Sequence, residues 1–289
     1  MITNQTPILA DLETIWGALD SFYQHFSPKD WSRKHGKDWT FADIPYHLAY
    51  FNQTVMDGIK NDQGQQAKLT LQELNTWNDS HFAGRPINLS GAKALEHLHT
   101  TQAALKEVAA NYSLDTPVFL PLIIVGGWRT LAFGLEYLLD HTWLHFTESH
   151  LRFTRRLPAL PPRVVHRALN FTMDSAAGAL RPEDLAGVEL VTTLRLTGEG
   201  GGVWSFIMRE GKCWVEPGAA HADAEITSDI ATYLKTSIHY MQSPVLALLL
   251  GKTRIRGMSK AQQFQKIFAA TPSRVWNFVE QGRVAPAVG

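Results

Sequence analysis

Apolar residues recur every three to four positions through the first half of the chain, and after residue 188 the pattern turns to alternation. Ile8, Leu9, Leu12, Ile15, Trp16, Leu19, Phe22 and Tyr23 fall at helical spacing, so a first helix is expected, opened by Thr6-Pro7. Ser27 to Asp38 is polar and lysine-rich and reads as a loop. Thr40 with Asp43 resembles a capping box that opens a second helix reaching about Ile59, with Ile44, His47, Leu48, Phe51 and Val55 along one side and Pro45 in the first turn. Asn61 to Lys68 reads as a loop, and Thr70 to Asp79 as a short helix anchored by Trp77. Ser90 caps a third helix to about Tyr112, and Ser113 to Gly127 reads as an apolar loop. A fourth helix runs from about Arg129 to Arg155. With no strand pattern among them, these segments predict a four-helix bundle over residues 1–156.

Leu157-Pro-Ala-Leu-Pro-Pro162 is a stiff, proline-rich linker that predicts a domain boundary at 157–162. Beyond it the texture changes. Val164 to Ala177 is helical, whereas Val188 to Leu196, Val203 to Met208, Lys212 to Val215, Ala222 to Thr227 and Lys252 to Arg256 read as strands separated by glycine turns. Asp229 to Ser237 and Val245 to Leu250 are helical, and Ser259 is expected to cap a closing helix. Residues 163–289 therefore predict an α+β domain, so the fold class is multidomain, α followed by α+β.

Composition narrows the function. Lys+Arg and Asp+Glu are both 27, so no basic field argues for nucleic acid. The single cysteine, Cys213, excludes an internal disulfide framework and any cysteine-rich zinc motif. No apolar run is long enough to insert in a membrane, and the first residues lack the pattern of a signal peptide, so a cytoplasmic protein is expected.

The fourth helix carries the candidate chemistry. His141 and His145 lie four residues apart, and Glu148 follows three later, all within a stripe roughly 60° wide. Two imidazoles one turn apart can share an ion. His47, on the inner side of the second helix, is the candidate third ligand, because bundles build metal sites from facing helices. Such a tripod leaves coordination positions open, and zinc, nickel and iron(II) all suit it. The competing reading is three core histidines hydrogen-bonded to carbonyls. Glu148 is either a base or ligand-orienting group, or a solvated residue near the helix end. Asp43 reads as a cap, and no catalytic base is assigned. His97 and His99 point in different directions on their helix.

Trp39-Thr-Phe-Ala-Asp43-Ile-Pro-Tyr-His47-Leu48, with His141-Thr-Trp-Leu-His145 about ninety residues on, resembles the motifs of the DinB-like bundles. These include the thiol-dependent isomerases and transferases named after mycothiol-dependent maleylpyruvate isomerase. The resemblance covers roughly residues 5 to 156. It implies that His47, His141 and His145 ligate a divalent metal and that a low-molecular-weight thiol serves as cofactor. Members similar to the isomerase often carry a carboxylate where this chain has His141.

Gly211-Lys-Cys-Trp-Val-Glu-Pro-Gly218, Ala222-Asp-Ala-Glu-Ile-Thr227 and Gly251-Lys-Thr-Arg-Ile-Arg-Gly257 resemble the sterol carrier protein type 2 family. That resemblance implies an apolar tunnel, with Val245 to Leu250, Phe264, Ile267 and Phe268 as lining candidates; the same residues suit an ordinary core. Two function classes follow. One is a metal-dependent, thiol-using isomerase or transferase acting on a small electrophilic or hydrophobic substrate. The other is a non-catalytic carrier of a lipid or other hydrophobic ligand. A homodimer is compatible with either.

Overall fold

The computed structural model describes residues 7–36, 39–60, 84–86, 89–120, 127–180 and 182–269. The expected loop at 61–68 and the short helix with Trp77 lie outside them. The chain is mixed α and β and divides into two compact units between Leu160 and Pro161. Among the described residues, no helix is long and apolar enough to cross a membrane.

The first unit holds α1 (Pro7–Tyr23), α2 (Pro28–Trp31), α3 (Asp43–Lys60), α4 (Gly91–Asn111), β1 (Pro117–Leu120), β2 (Gly127–Thr130) and α5 (Leu131–Thr154). Helix α3 packs on α4 and α5, and α1 packs on α5. Leu12, Ile15, Leu19, Ile44, Val55, Leu98, Leu105, Leu135 and Leu139 are buried between them, so the helical periodicity identifies the inner faces. Ser90 accepts a hydrogen bond from the Lys93 amide and Thr130 one from the Phe133 amide, which satisfies first-turn donors of α4 and α5.

Two expectations need correction here. The polar stretch after Ser27 contains α2, opened by a full capping box between Ser27 and Asp30. The apolar loop after Ser113 contains the antiparallel pair β1–β2, so strand structure does interrupt the helices. The apolar residues of β1, Val118, Phe119 and Leu120, are buried, and β1 packs on α3. Gly58 makes that approach feasible, since a Cβ there would stand 2.3 Å from the Phe119 carbonyl oxygen.

The second unit holds α6 (Pro162–Gly178), a 3-10 turn (Pro182–Leu185), β3 (Leu190–Thr197), β4 (Gly202–Arg209), β5 (Lys212–Pro217), β6 (Ala224–Asp229), α7 (Ile230–Tyr233) continuing as a π turn (Leu234–Ile238), α8 (Pro244–Leu249), β7 (Thr253–Arg256) and α9 (Met258–Ala269). Its sheet has the order β5-β4-β3-β6-β7, with β3 and β6 parallel and the other neighbours antiparallel. Phe264 and Phe268 of α9 pack on Phe206, and Ile267 joins Leu185, Leu190 and Met208. Ile267 is buried, and Phe264 and Phe268 are partly buried against that cluster. Val245, Leu246, Leu249 and Leu250 are exposed instead. Helix α9 begins at Met258, one residue before the expected cap Ser259. Gly257 turns the chain directly from strand to helix with φ +70°, and a Cβ there would meet the Asp223 carbonyl oxygen at 2.1 Å. Cys213 sits in β5, and burial pushes its thiol up to about 12, which leaves it unreactive.

Candidate metal centre

The site lies where α3 and α5 cross. Gly134 of α5 faces Val55 of α3, and a Cβ at Gly134 would stand 3.2 Å from the valine methyl. Two turns away along both helices, His47 faces His141. The pairs 55–134 and 47–141 run in opposite senses, so the helices are antiparallel. The absence of a side chain at Gly134 brings their axes close enough for imidazoles to meet.

Asp43 fixes the start of α3. Its carboxylate accepts hydrogen bonds from the Thr40 amide at 2.7 Å and the Thr40 hydroxyl at 2.8 Å, and it pairs with Arg85. The helix opens at Asp43 rather than at Thr40, with the acid at its positive end. His47 follows one turn later.

The Nε2 atoms of His47 and His141 are 3.1 Å apart. One ligand atom from each of His47, His141 and His145 lies within 4.8 Å of the others. Ring centroids separate by 4.9 Å for His47–His141, 4.8 Å for His47–His145 and 4.7 Å for His141–His145. His47 is buried, whereas the other two are half-buried. The Nδ1 atoms of His141 and His145 are buried and have no hydrogen-bond partner among the described residues. What solvent reaches of those rings therefore lies away from Nδ1.

Burial, followed by the neighbouring His145, holds His141 well below the usual imidazole range, and burial takes His145 down to about 4. Both rings are neutral near pH 7, which is the ligating form. The donor chemistry fits a divalent cation. Two nitrogens held at about 2.0 Å on a tetrahedral ion stand roughly 3.3 Å apart, close to the His47–His141 separation. Glu148 lies on the same helix face but pairs with Arg152, at 2.7 Å. Burial still raises its carboxyl above the ordinary value, against the lowering effect of Arg152.

Three aromatic rings wall the cluster. Trp39 stacks on His145 with centroids 5.9 Å apart and meets His47 edge-on at 4.8 Å. Phe51 lies 4.7 Å from His47 and 4.3 Å from His141. Tyr137 stacks on His141 at 5.4 Å with the planes 14° apart, and its phenol is raised by burial and then by Asp140. Residue type and helical spacing did not single out these three for the site. Phe51 and Tyr137 each lie four residues from a histidine on the same helix (His47 and His141), which is the signal available in the sequence. The turn carrying Trp39 is fixed by His35, whose amide donates to the Trp39 carbonyl at 2.8 Å. The His35 ring bonds the buried Ser149 hydroxyl at 2.9 Å, and Tyr23 donates to the same oxygen. His99 pairs instead with Asp20, and His97 lies beside Tyr46.

Residues 11–149 match the family model of the DinB superfamily. No curated protein matches the chain. Among solved structures, a mutant of the mycothiol-dependent maleylpyruvate isomerase is similar at TM-score 0.50 and 11% identity, over 79% of this chain and 86% of that one. That likeness concerns the fold. Sterol carrier protein 2 from Yarrowia lipolytica is matched at 14% identity and TM-score 0.30, over 35% of this chain and 88% of that one.

Proposed function

We propose that this protein is a divalent-metal-dependent enzyme of the thiol-dependent isomerase or transferase type, acting on a small electrophilic or hydrophobic substrate. Its metal would be held by His47, His141 and His145 in a DinB-like four-helix bundle spanning residues 1–156, and residues 163–289 would form a sterol-carrier-like α+β domain after the linker at 157–162. The observation that carries the reading is the convergence of three imidazoles within 4.8 Å on facing helices. The match to the DinB superfamily supports it.

A zinc, nickel or iron(II) ion bound there supplies Lewis acidity and favours the thiolate form of a thiol cofactor. The chain's own residues set the surroundings. Trp39, Phe51 and Tyr137 present apolar faces beside the imidazoles that suit a hydrophobic substrate. Tyr137 keeps its phenolic proton, so its hydroxyl remains a donor. Glu148 is engaged with Arg152, and we assign it no proton transfer. The carrier alternative drew its support from apolar residues of the second unit, but Phe264, Ile267 and Phe268 are packed against the sheet.

Elemental analysis of the purified protein tests this reading. The expected result is about one divalent metal per chain in the wild type, lost in His47→Ala. Full metal retention by that variant sinks the tripod. A wild type that binds metal but does not accelerate addition of any low-molecular-weight thiol to electrophilic substrates sinks the thiol-dependent part.

A further inference from the structure

The second unit carries an apolar surface that its own fold does not use. Helix α8 buries only Ala247, while Val245 is 65% exposed, Leu246 47%, Leu249 78% and Leu250 58%. Tyr240, just before the helix, is 78% exposed with φ +49°, and Met258, after β7, is 44% exposed. At about 100° per residue Val245, Leu246 and Leu249 of α8 and the C-cap Leu250 occupy one arc of roughly 140°, away from Ala247. They project from the helix as a ridge. Contiguous exposed apolar surface of this kind marks an interaction site.

The stretch of chain that carries the ridge is one-sided in charge. From Ile230 to Ala269 there is no Asp or Glu, whereas Lys235, Lys252, Arg254, Arg256, Lys260 and Lys266 all lie in that stretch. The chain as a whole is neutral, so this is a local concentration of positive charge. Lys252 lies three residues past the end of α8 and donates its amide to the Ala247 carbonyl at 2.9 Å. Arg254 and Arg256 are the exposed residues of β7, the edge strand of the sheet and a neighbour of α8. Arg256 is partnered by Glu225 of β6, at 3.3 Å, while Lys252, Arg254 and Lys260 are exposed.

We propose that this face docks reversibly on an anionic phospholipid surface, with Val245, Leu246, Leu249 and Leu250 entering the headgroup–acyl boundary and Lys252, Arg254 and Lys260 pairing with lipid phosphates. Charge complementarity decides the occupant. A second copy placed symmetrically on the ridge would set the same cations against each other. A bilayer of anionic lipid satisfies both features together, because apolar burial and attraction of basic residues act in parallel there. The helix is far too short to span, so the contact is peripheral. For an enzyme with a hydrophobic substrate, such docking places the protein where that substrate concentrates.

Co-sedimentation of the full-length protein with vesicles tests the proposal. Vesicles of mixed phosphatidylglycerol and phosphatidylcholine are compared with vesicles of phosphatidylcholine alone, at low and at high salt. Binding to the anionic vesicles is expected to be at least about tenfold stronger and to weaken with salt. Leu249→Asp with Leu250→Asp should abolish it, and Lys252→Glu with Arg254→Glu should remove the preference for anionic lipid. Unchanged circular dichroism of both double variants verifies folding. Failure of the wild type to bind either vesicle overturns the proposal, a result independent of any variant. Equal binding to both vesicles overturns the anionic assignment. A wild-type dimer that Leu249→Asp dissociates, with no vesicle binding, assigns the ridge to self-association instead.

Discussion

The Nε2 atoms of His47 and His141 approach to 3.1 Å across two helices although the residues lie 94 positions apart in sequence. Without a cation, that contact requires one ring to carry its proton on Nε2 and the other on Nδ1. With a cation, both can present lone pairs. Replacing either histidine by alanine is therefore expected to lower metal affinity by more than about 100-fold, beyond what loss of an orienting partner costs. Competition with a chromophoric chelator measures it, and an unchanged affinity for His141→Ala would contradict the shared site.

The low affinity of His145 for protons gives the metal-free protein a defined pH response. Its folded-state value is about 4, against 6.5 for an exposed imidazole. Between these values the unfolded chain binds the proton and the folded chain does not, so stability falls as pH drops from about 6.5 towards 4 and is unaffected by this group above that window. The full loss is about 3 kcal/mol. Urea unfolding of metal-free protein across this range should show the decline, and His145→Gln should make it shallower, leaving the part that comes from the lowered His141. An equally steep decline in that variant would trace the response to other groups.

The legible parts of the molecule are those in which local spacing and burial coincide. His141 and His145 are paired by one helical turn, and the leucines around them define which face of α5 is inner, so their meeting is visible in sequence. Trp39 was harder, because its position depends on the His35–Ser149–Tyr23 contacts, which join residues 114 and 126 positions apart. The β1–β2 pair was hidden because Pro121 and Gly126-Gly127 punctuate an apolar run as a loop would, while the strand contact depends on Gly58 of a distant helix. The run Val245 to Leu250 has the composition of a core helix. Periodicity does not state which apolar face remains outside.

Two glycines separate the packing of α3 from its chemistry. Gly134→Leu forces α5 away from Val55 and is expected to cost about 1–3 kcal/mol and to weaken metal binding. Gly58→Ala presses on the Phe119 backbone near the C-terminal end of α3, about three turns from His47, so stability should fall while metal stoichiometry is retained. Thermal melts with metal analysis distinguish them; equal metal loss in both would mean that α3 responds as one rigid rod.

Asp43 is the remaining control on His47. It is 2% exposed, accepts two hydrogen bonds from Thr40 and pairs with Arg85, which is partly solvated. Asp43→Ala removes the carboxylate from the positive end of α3 and strands the Thr40 amide, at an expected cost of about 2 kcal/mol. Because His47 sits one turn on, fraying of this turn should also weaken metal binding. Asp43→Asn keeps an acceptor for Thr40 but loses the charge facing Arg85, so it should recover part of the stability. Denaturant unfolding of the three proteins in parallel with metal titration checks the order. If Asp43→Ala binds metal as tightly as the wild type, His47 is positioned by its packing against Trp39 and Phe51 alone.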